Sequence, residues 1–143
     1  MNPSLVPLAL VGLVAVATVI GLVWRSRQGR VRHTRGHTIV KVGDVPGVRR
    51  FASGATLLQF STEVCAPCKV THAVLGDVAS AHRNVAHVDL DVTHRPDLAS
   101  LFHILQTPTT LILDSKGIVR ARIGGAPRRD ALNAELNRIL VST

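Results

Sequence analysis

A run of twenty uncharged residues near the amino terminus, Leu5 to Trp24, restricts the fold of this chain more than any other feature. As a helix rising about 1.5 Å per residue, the run is long enough to cross the roughly 30 Å hydrocarbon core of a bilayer. It ends in an aromatic residue of the kind found at membrane interfaces. We therefore expect a transmembrane anchor over residues 1–24, followed by enough chain for a single hydrophobic core.

A cleavable signal peptide is the alternative interpretation of this run. Ala15-Val16-Ala17 is similar to a cleavage site, but the apolar stretch continues through Val23, and no Lys or Arg precedes it. Signal peptides carry basic residues before their apolar stretch. A retained anchor is therefore the favoured interpretation.

The segment after the anchor is strongly basic. Five of the seventeen Lys and Arg residues lie within residues 25–35, whereas twelve basic and nine acidic residues almost balance from Lys41 onward. The cluster consists of Arg25, Arg27, Arg30, Arg32 and Arg35. Residues 25–36 show no apolar periodicity and are predicted to be a flexible linker lying on anionic lipid head groups. The positive-inside rule predicts a single-pass plasma-membrane protein whose carboxyl-terminal domain is cytoplasmic.

Nucleic-acid binding is the alternative explanation of the formal net charge of +8. The sequence has no basic helix with interleaved aromatic residues, no Tyr and only three Phe. Aromatic platforms on which bases stack are therefore scarce, and we expect no nucleic-acid partner.

The only two cysteines of the chain, Cys65 and Cys68, lie three positions apart. A strand-like run at 57–60 precedes them, and apolar residues at helical spacing follow. A thiol in the first turn of a helix meets unpaired N–H groups and the positive end of the helix dipole, which both favour the thiolate. The spacing allows the second sulfur to attack the first, so the pair is suited to reversible dithiol–disulfide exchange.

Two other interpretations of the cysteine pair remain open. The cysteines could be inert core residues, or they could bind zinc together with His72 and a further histidine. Zinc sites normally need four ligands, and the sequence contains no second Cys pair. We expect no metal.

The hydrophobic pattern predicts alternating strands and helices ending in a hairpin, which is typical of a mixed sheet flanked by helices. Strands are predicted at 37–42, 56–61, 84–91, 109–113 and 118–123. Helices are predicted at 67–82, 96–103 and 127–140, with at most a short helix within 44–54.

Three segments of this pattern resemble the thioredoxin family. The run 60–69 is similar to the family's active-site segment, Thr107-Pro108-Thr109 to its cis-proline loop, and Gly124-Gly125 to the glycine after its last strand. The resemblance covers residues 37–143. It implies an α/β thioredoxin-like fold, with a mixed central sheet flanked by helices, preceded here by one transmembrane helix.

The resemblance also implies a thiol–disulfide exchange enzyme, and the reducing thiol pool of the expected cytoplasmic location makes a protein-disulfide reductase the predicted activity. Cys65 would be the exposed attacking thiolate and Cys68 the buried resolving thiol, with Pro108 in the cis form beside the sulfurs. The Thr107 backbone would pair with the substrate chain as an added strand. The substrate-facing residues would be Val64, Ala66, Pro67, Thr107 and Gly124. No cofactor is implied; the partners would be protein disulfides and an external thiol reductase that supplies electrons.

The chain departs from the family pattern around the cysteines. Val64 stands where the family usually has Trp, so the substrate-facing surface is less aromatic. Gln59 stands where the family buries an Asp that helps deprotonate the second cysteine, and an amide cannot take that proton. We hypothesise that His72, one helical turn after Cys68, or His87, at the usual position of a Lys, replaces the carboxylate. The alternative is that both are packing or surface histidines.

Two other functions remain open. Ala66-Pro67 replaces the usual Gly-Pro spacer between the cysteines, which leaves room for an oxidising or isomerising domain outside the cytoplasm. The second is a non-enzymatic, membrane-tethered adaptor with the same fold, against which the two intact cysteines argue.

Overall fold

The computed structural model describes residues 5–34 and 38–142. Within these residues the chain forms four α-helices and five β-strands. In chain order they are α1 (Leu5–Arg27), β1 (Val31–His33), β2 (Ala55–Ser61), α2 (Ala66–Ser80), β3 (Val85–Asp91), α3 (Pro96–Leu101), β4 (Thr109–Asp114), β5 (Val119–Gly124) and α4 (Arg129–Val141).

The five strands form one mixed sheet in the order β1-β5-β4-β2-β3. Strands β2 and β3 are parallel, and the other neighbouring pairs are antiparallel. Phe60, near the end of β2, lies opposite Thr109 at the start of β4, which lies opposite Gly124 at the end of β5. At this end of the sheet β2, β3 and β5 end and β4 begins; we call these strand ends the Pro108 edge. The mixed sheet flanked by helices confirms the predicted fold class.

Two hydrophobic clusters fill the space between the sheet and its helices, one on each face. Successive side chains of a strand point to opposite faces, so Leu57 packs in one cluster and Leu58 in the other, and both are fully buried. Helices α2 and α4 cover the face of Leu57 with Leu75, Val78, Leu132, Leu136 and Ile139. Strand β2 is thus buried on both faces, which explains why its sequence is a nearly continuous apolar run.

Helix α1 stands outside this core. Its residues Val6–Ser26 have a mean hydropathy of 2.6 and are exposed along their length. By length and composition the helix meets the requirement for a membrane span, which a signal sequence also meets. It continues to Arg27, three residues beyond the predicted anchor, and ends where Gly29 adopts a φ of +71°. A glycine in this left-handed conformation is a common helix terminator.

Residues 25–27 belong to α1 and residues 31–33 to β1, within the segment that the sequence predicted to be a flexible linker. Strand β1 runs antiparallel to β5, with Val31 opposite Ile123. The backbone N–H of Gly29 donates to the carbonyl of Gly124 at 2.8 Å. Pairing here satisfies the backbone groups of an otherwise open sheet edge, and three residues are too few to produce a recognisable strand pattern. Residues 35 and 36 of the predicted linker lie outside the described residues.

The strand predicted over 37–42 is reduced to a single β-bridge between Ile39 and Ile118 in the described residues. The chain instead enters a 3-10 turn at Val42–Asp44, although Val40 is buried in the core as a strand residue would be. Residue 37, the predicted start of the domain, lies outside the described residues. The remaining helices and strands begin and end within two residues of their predicted bounds.

Candidate active site

The cysteine pair lies at the start of α2, on the Pro108 edge. Cys65 occupies the position before the first helical residue, and Cys68 lies in the first turn. The two sulfurs form a disulfide, the oxidised state of the pair. Cys68 is buried at 4% exposure, whereas Cys65 is partly exposed. The unpaired N–H groups of the first turn and the helix dipole would stabilise a thiolate at Cys65 after reduction.

The loop before β4 lies next to this helix start. The Thr107–Pro108 peptide bond is cis, as the resemblance implied. The hydroxyl oxygens of Thr62 and Thr107 are 3.3 Å apart, which joins the loop before Cys65 to the loop before Pro108. On the other side, the N–H of Gly125 donates to the carbonyl of Pro108 at 2.8 Å. The Pro108 loop is therefore held between the cysteine loop and the end of β5.

A cleft of about 300 Å³ opens beside the disulfide. It is lined by both cysteines and by residues of β2, β3, α2 and the connecting loop: Ser61, Thr62, Glu63, Lys69, His72 and Asp89. In this cleft Cys68 shares a lining with ionisable side chains of its own helix, of β3 and of the loop before Cys65. Chemistry at Cys68 that moves a proton is expected to use this opening.

Gln59, at the position of the missing carboxylate, has a structural role beneath the cysteines. Its side chain is fully buried, and its amide Nε2 donates to the backbone carbonyl of Cys68 at 3.0 Å. Its Oε1 accepts from Nε2 of His87, also at 3.0 Å. The amide thus satisfies a buried carbonyl and links β2 to α2 and β3, but it has no proton-accepting oxygen to spare.

His87 is the second candidate base, and its surroundings keep it neutral. Burial lowers the pKa of its imidazole, the neighbouring His72 lowers the pKa further, and Asp89 opposes both effects. The ring of His87 meets that of His72 edge to face, with centroids 4.7 Å apart. His87 contacts Gln59 and His72 but does not itself line the cleft, and its hydrogen-bonded connection to Cys68 runs through the Gln59 amide.

His72, the first candidate base, forms a hydrogen bond with a carboxylate that sequence reasoning missed. Its Nδ1 lies 2.9 Å from Oδ2 of Asp89, and Oδ1 of Asp89 accepts from the Ser61 hydroxyl at 2.6 Å. Asp89 lies directly opposite Gln59 in the β2–β3 register. A carboxylate is therefore present one strand away from its usual place in the family. The sequence shows Asp89 in a predicted strand, but only the strand register of the folded chain places it opposite Gln59.

The other predicted site residues do not line this cleft. Val64 is 97% exposed, and Ala66 and Pro67 are exposed at the helix start. Thr107 and Gly124 are partly exposed on the Pro108 edge, where Gly124 lines a separate groove. Within residues 5–34 and 38–142, no group of three or more His, Cys, Asp or Glu side chains is arranged to hold a metal ion.

Comparisons with known proteins agree with this geometry. The family model described as thioredoxin matches residues 48–138, more than half of the chain. A thioredoxin from Staphylococcus aureus is 29% identical over 93 residues, which cover 64% of this chain and 89% of the relative. Helix α1 and strand β1 precede the matched segment.

Solved structures show the same likeness. The mitochondrial thioredoxin 3 of Saccharomyces cerevisiae, in its oxidised form, is 26% identical with a TM-score of 0.52, covering 60% of this chain and 79% of that one. A thioredoxin of Nicotiana alata is also 26% identical, with a TM-score of 0.54, covering 62% of this chain and 75% of its own.

Proposed function

The chain belongs to the thioredoxin family, and on that premise we propose that it is a membrane-anchored protein-disulfide reductase. Its family and its Cys65–Cys68 disulfide make it a thiol–disulfide oxidoreductase. The direction of the reaction, the roles of single residues and the membrane location are parts of the proposal. The observation that carries it is the unequal exposure of two bonded sulfurs at a helix start beside Pro108.

The reaction proceeds in two exchanges. The thiolate of Cys65 attacks one sulfur of a substrate disulfide, which forms a mixed disulfide and releases the other substrate sulfur as a thiolate. The thiol of Cys68 then loses its proton, and the resulting thiolate attacks the sulfur of Cys65. The second substrate thiolate leaves, so two electrons have passed to the substrate and the Cys65–Cys68 disulfide has formed. An external thiol reductase restores the dithiol. Meanwhile the Thr107 backbone holds the substrate chain in place.

The second exchange needs a proton acceptor for Cys68, and we assign this role to His72 and Asp89. Both line the cleft that Cys68 lines, and the 2.9 Å hydrogen bond between Nδ1 of His72 and Oδ2 of Asp89 holds the imidazole in place. Ser61 fixes the carboxylate from the other side. His87 is less suited, because its Nε2–H is engaged by Gln59 and burial lowers its pKa. The pair does from β3 and α2 what a buried carboxylate on β2 does in the family.

The apolar helix α1 anchors the protein in the plasma membrane in this proposal. The span is followed by Arg25, Arg27, Arg30, Arg32 and Arg35, and the segment before it has no basic side chain. By the positive-inside rule, the dithiol domain is then cytoplasmic. A cytosolic thiol pool keeps dithiols reduced, which suits a reductase.

Mixed-disulfide trapping tests the assignment of the two cysteines. The full chain carrying Cys68→Ser is expected to accumulate covalent complexes with a disulfide-bonded substrate, because the second exchange cannot occur. Cys65→Ser is expected to trap none, since the remaining thiol is buried. Equal trapping by both variants would contradict the proposed order of attack.

The reduction potential and a topology reporter test the direction of the reaction and its compartment. Equilibration of the full chain in detergent with thiol redox buffers is expected to give about −270 mV, the value for thioredoxin, and not the roughly −120 mV of a strong oxidant. A reporter active only in the cytosol, fused after the last residue, is expected to be active. A high potential with a silent, expressed fusion would instead establish an oxidising domain outside the cytoplasm.

A further inference from the structure

A second concave surface lies on the Pro108 edge, next to the last turn of α1. It is a groove of about 360 Å³ whose lining includes Trp24, Arg30, Arg32, His103, Leu105 and Arg122. We call it the arginine groove. It is formed by the end of α1, the turn after it and β1, by the loop between α3 and β4, and by β4 and β5. The part that runs from α1 to β1 precedes the segment matched by the family model.

The charge of the arginine groove is unbalanced. Arg32 and Arg122 lie directly opposite each other on β1 and β5, a cross-strand pairing of like charges that is normally unfavourable. The Arg122 guanidinium donates to the carbonyls of Phe102 and His103 at 2.6 and 2.9 Å, which holds it at the base of the groove. No carboxylate is among the described residues that line it. An anion between the two arginines would remove the repulsion, and guanidinium groups suit phosphate oxygens.

The groove lies at the point where the chain leaves the apolar helix. Nε of Arg30 donates to the carbonyl of Ser26 at 2.9 Å, so this side chain lies against the last turn of α1. Trp24 is 68% exposed and Leu105 is 96% exposed, so the groove combines cationic and apolar side chains. With α1 across a bilayer, Trp24 lies at the interface, and the arginines, a few residues further on, lie at the level of the head groups.

We propose that the arginine groove binds the phosphate of an anionic phospholipid head group, with Trp24 and Leu105 on the acyl-chain side. This inference rests on the membrane anchoring proposed above. Its consequence is an orientation of the domain. The backbone connects the groove to Pro108: Gly29 donates to Gly124, and the next residue, Gly125, donates to Pro108. A lipid held in the groove therefore holds the Pro108 edge at the membrane surface. The substrates would then be disulfides close to the bilayer.

Trp24, the only tryptophan, makes binding to the arginine groove measurable. The full chain in a zwitterionic detergent would be titrated with a short-chain phosphatidylglycerol and, separately, with the matching phosphatidylcholine, while Trp24 emission is followed. We expect phosphatidylglycerol to bind more tightly. Arg32→Gln should weaken its binding about fivefold, the effect of one basic residue at an anionic lipid surface. Arg49→Gln, a change at an exposed arginine outside the groove, should leave the affinity unaltered.

Three outcomes would overturn the proposal: equal affinity for the two lipids, equal effects of Arg32→Gln and Arg49→Gln, or binding of glycerol phosphate as tight as that of phosphatidylglycerol. The last result would identify a site for free anions. Flotation of the chain with phosphatidylcholine vesicles separates this inference from the anchor on which it rests. A chain that floats but shows no preference for phosphatidylglycerol keeps its anchor and loses the head-group site, whereas a chain that does not float loses the anchor.

Discussion

The cleft beside the Cys65–Cys68 disulfide and the arginine groove both lie on the Pro108 edge. They differ in the charge of their lining residues and in whether those residues belong to the segment matched by the family model. The cleft contains both acidic and basic side chains, and Nδ1 of His72 lies 2.9 Å from Oδ2 of Asp89. The groove has three arginines and no carboxylate among its described lining residues. The cleft lies within the segment matched by the thioredoxin family model, whereas Arg30 and Arg32 lie before it. In the proposed function, the shared fold supplies the chemistry and the added segment determines where that chemistry takes place.

Replacing Cys65 should have the most different effects on the two surfaces. Cys65→Ser is expected to lower the reduction rate of a soluble protein disulfide by at least about a thousandfold, as loss of a nucleophile does in other enzymes. The response of Trp24 emission to phosphatidylglycerol should stay as it is, because Cys65 is not among the groove residues. The measurements are insulin reduction and the lipid titration. A change in both readouts would show that the cleft and the groove are one functional unit.

Removing the carboxylate of the cleft tests its acid–base role. Asp89→Asn should slow the attack of Cys68 on the mixed disulfide roughly a hundredfold near neutral pH, the low end of what a positioned proton acceptor contributes. Single-turnover rapid mixing measures this step across pH 6 to 8. The other ionisable groups of this region are Glu63, Lys69, His72 and His87.

Asp77→Asn is the matched control for this prediction, because Asp77 is an exposed carboxylate further along α2 that pairs with Arg129. His72→Gln should resemble Asp89→Asn, and the double variant should be little slower than either single variant if the two residues act together. Rates and pH profiles of Asp89→Asn that match those of Asp77→Asn would remove the pair from the mechanism.

Gly29→Ala tests the connection between the anchor and the Pro108 edge. Gly29 has a φ of +71°, and a Cβ there would overlap the carbonyl oxygen of Ala126. The substitution should cost about 2 kcal/mol at this junction, equivalent to roughly thirtyfold faster hydrogen exchange at the β1 amides. Mass spectrometry of the exchanged chain measures this change. Gly43→Ala is the control, since a Cβ at Gly43 meets nothing within 4 Å among the described atoms. Unaltered β1 exchange in Gly29→Ala would show that this junction tolerates a side chain.

The smallest expected effect is a loss of folding stability at acid pH that comes from His87, the neighbour of His72 in the cleft. Because burial lowers the pKa of His87 in the folded protein, the unfolded chain binds a proton more readily. The contribution of His87 to the free energy of unfolding should therefore be constant above the ordinary histidine pKa of about 6.5 and should fall as the pH drops below it. Thermal denaturation of the full chain at several pH values should show a smaller acid loss in His87→Gln than in the unsubstituted protein. His94→Gln, at an exposed histidine, is the control, and an equal reduction by both would contradict the assignment.

The sequence predicted those parts of the structure that depend on local patterns. The period of apolar residues placed β2, α2, β4, β5 and α4 within two residues of their observed bounds. The Cys65–Cys68 spacing and the Thr107-Pro108 pair identified the site, and Pro108 is cis as the resemblance implied. Strand β1 was missed because three residues carry no periodicity, and its partner β5 lies ninety positions away along the chain, as the Arg32–Arg122 pairing shows.

The roles of His72 and His87 also depend on contacts between residues that are distant in the sequence. Sequence spacing brought His72 to the face of Cys68 but left His72 and His87 as equal candidates. The distinction depends on contacts between elements, since Asp89 meets His72 whereas Gln59 meets His87. The Gln59–His87 contact depends on the β2–β3 register, which places Gln59 opposite Asp89 and Leu57 opposite His87. The His72–Asp89 contact depends on the packing of α2 against β3.

The order of residues alone was sufficient for the apolar helix, the α/β class and the cysteine pair at a helix start, because each depends on neighbours along the chain, whereas the cis form of Pro108 was implied by the resemblance to the thioredoxin family. The His72–Asp89 pair, the docking of β1 on β5 and the facing arginines of the groove required the folded molecule. These features join residues distant in sequence, and only strand register and helix packing bring their side chains within hydrogen-bonding or electrostatic reach.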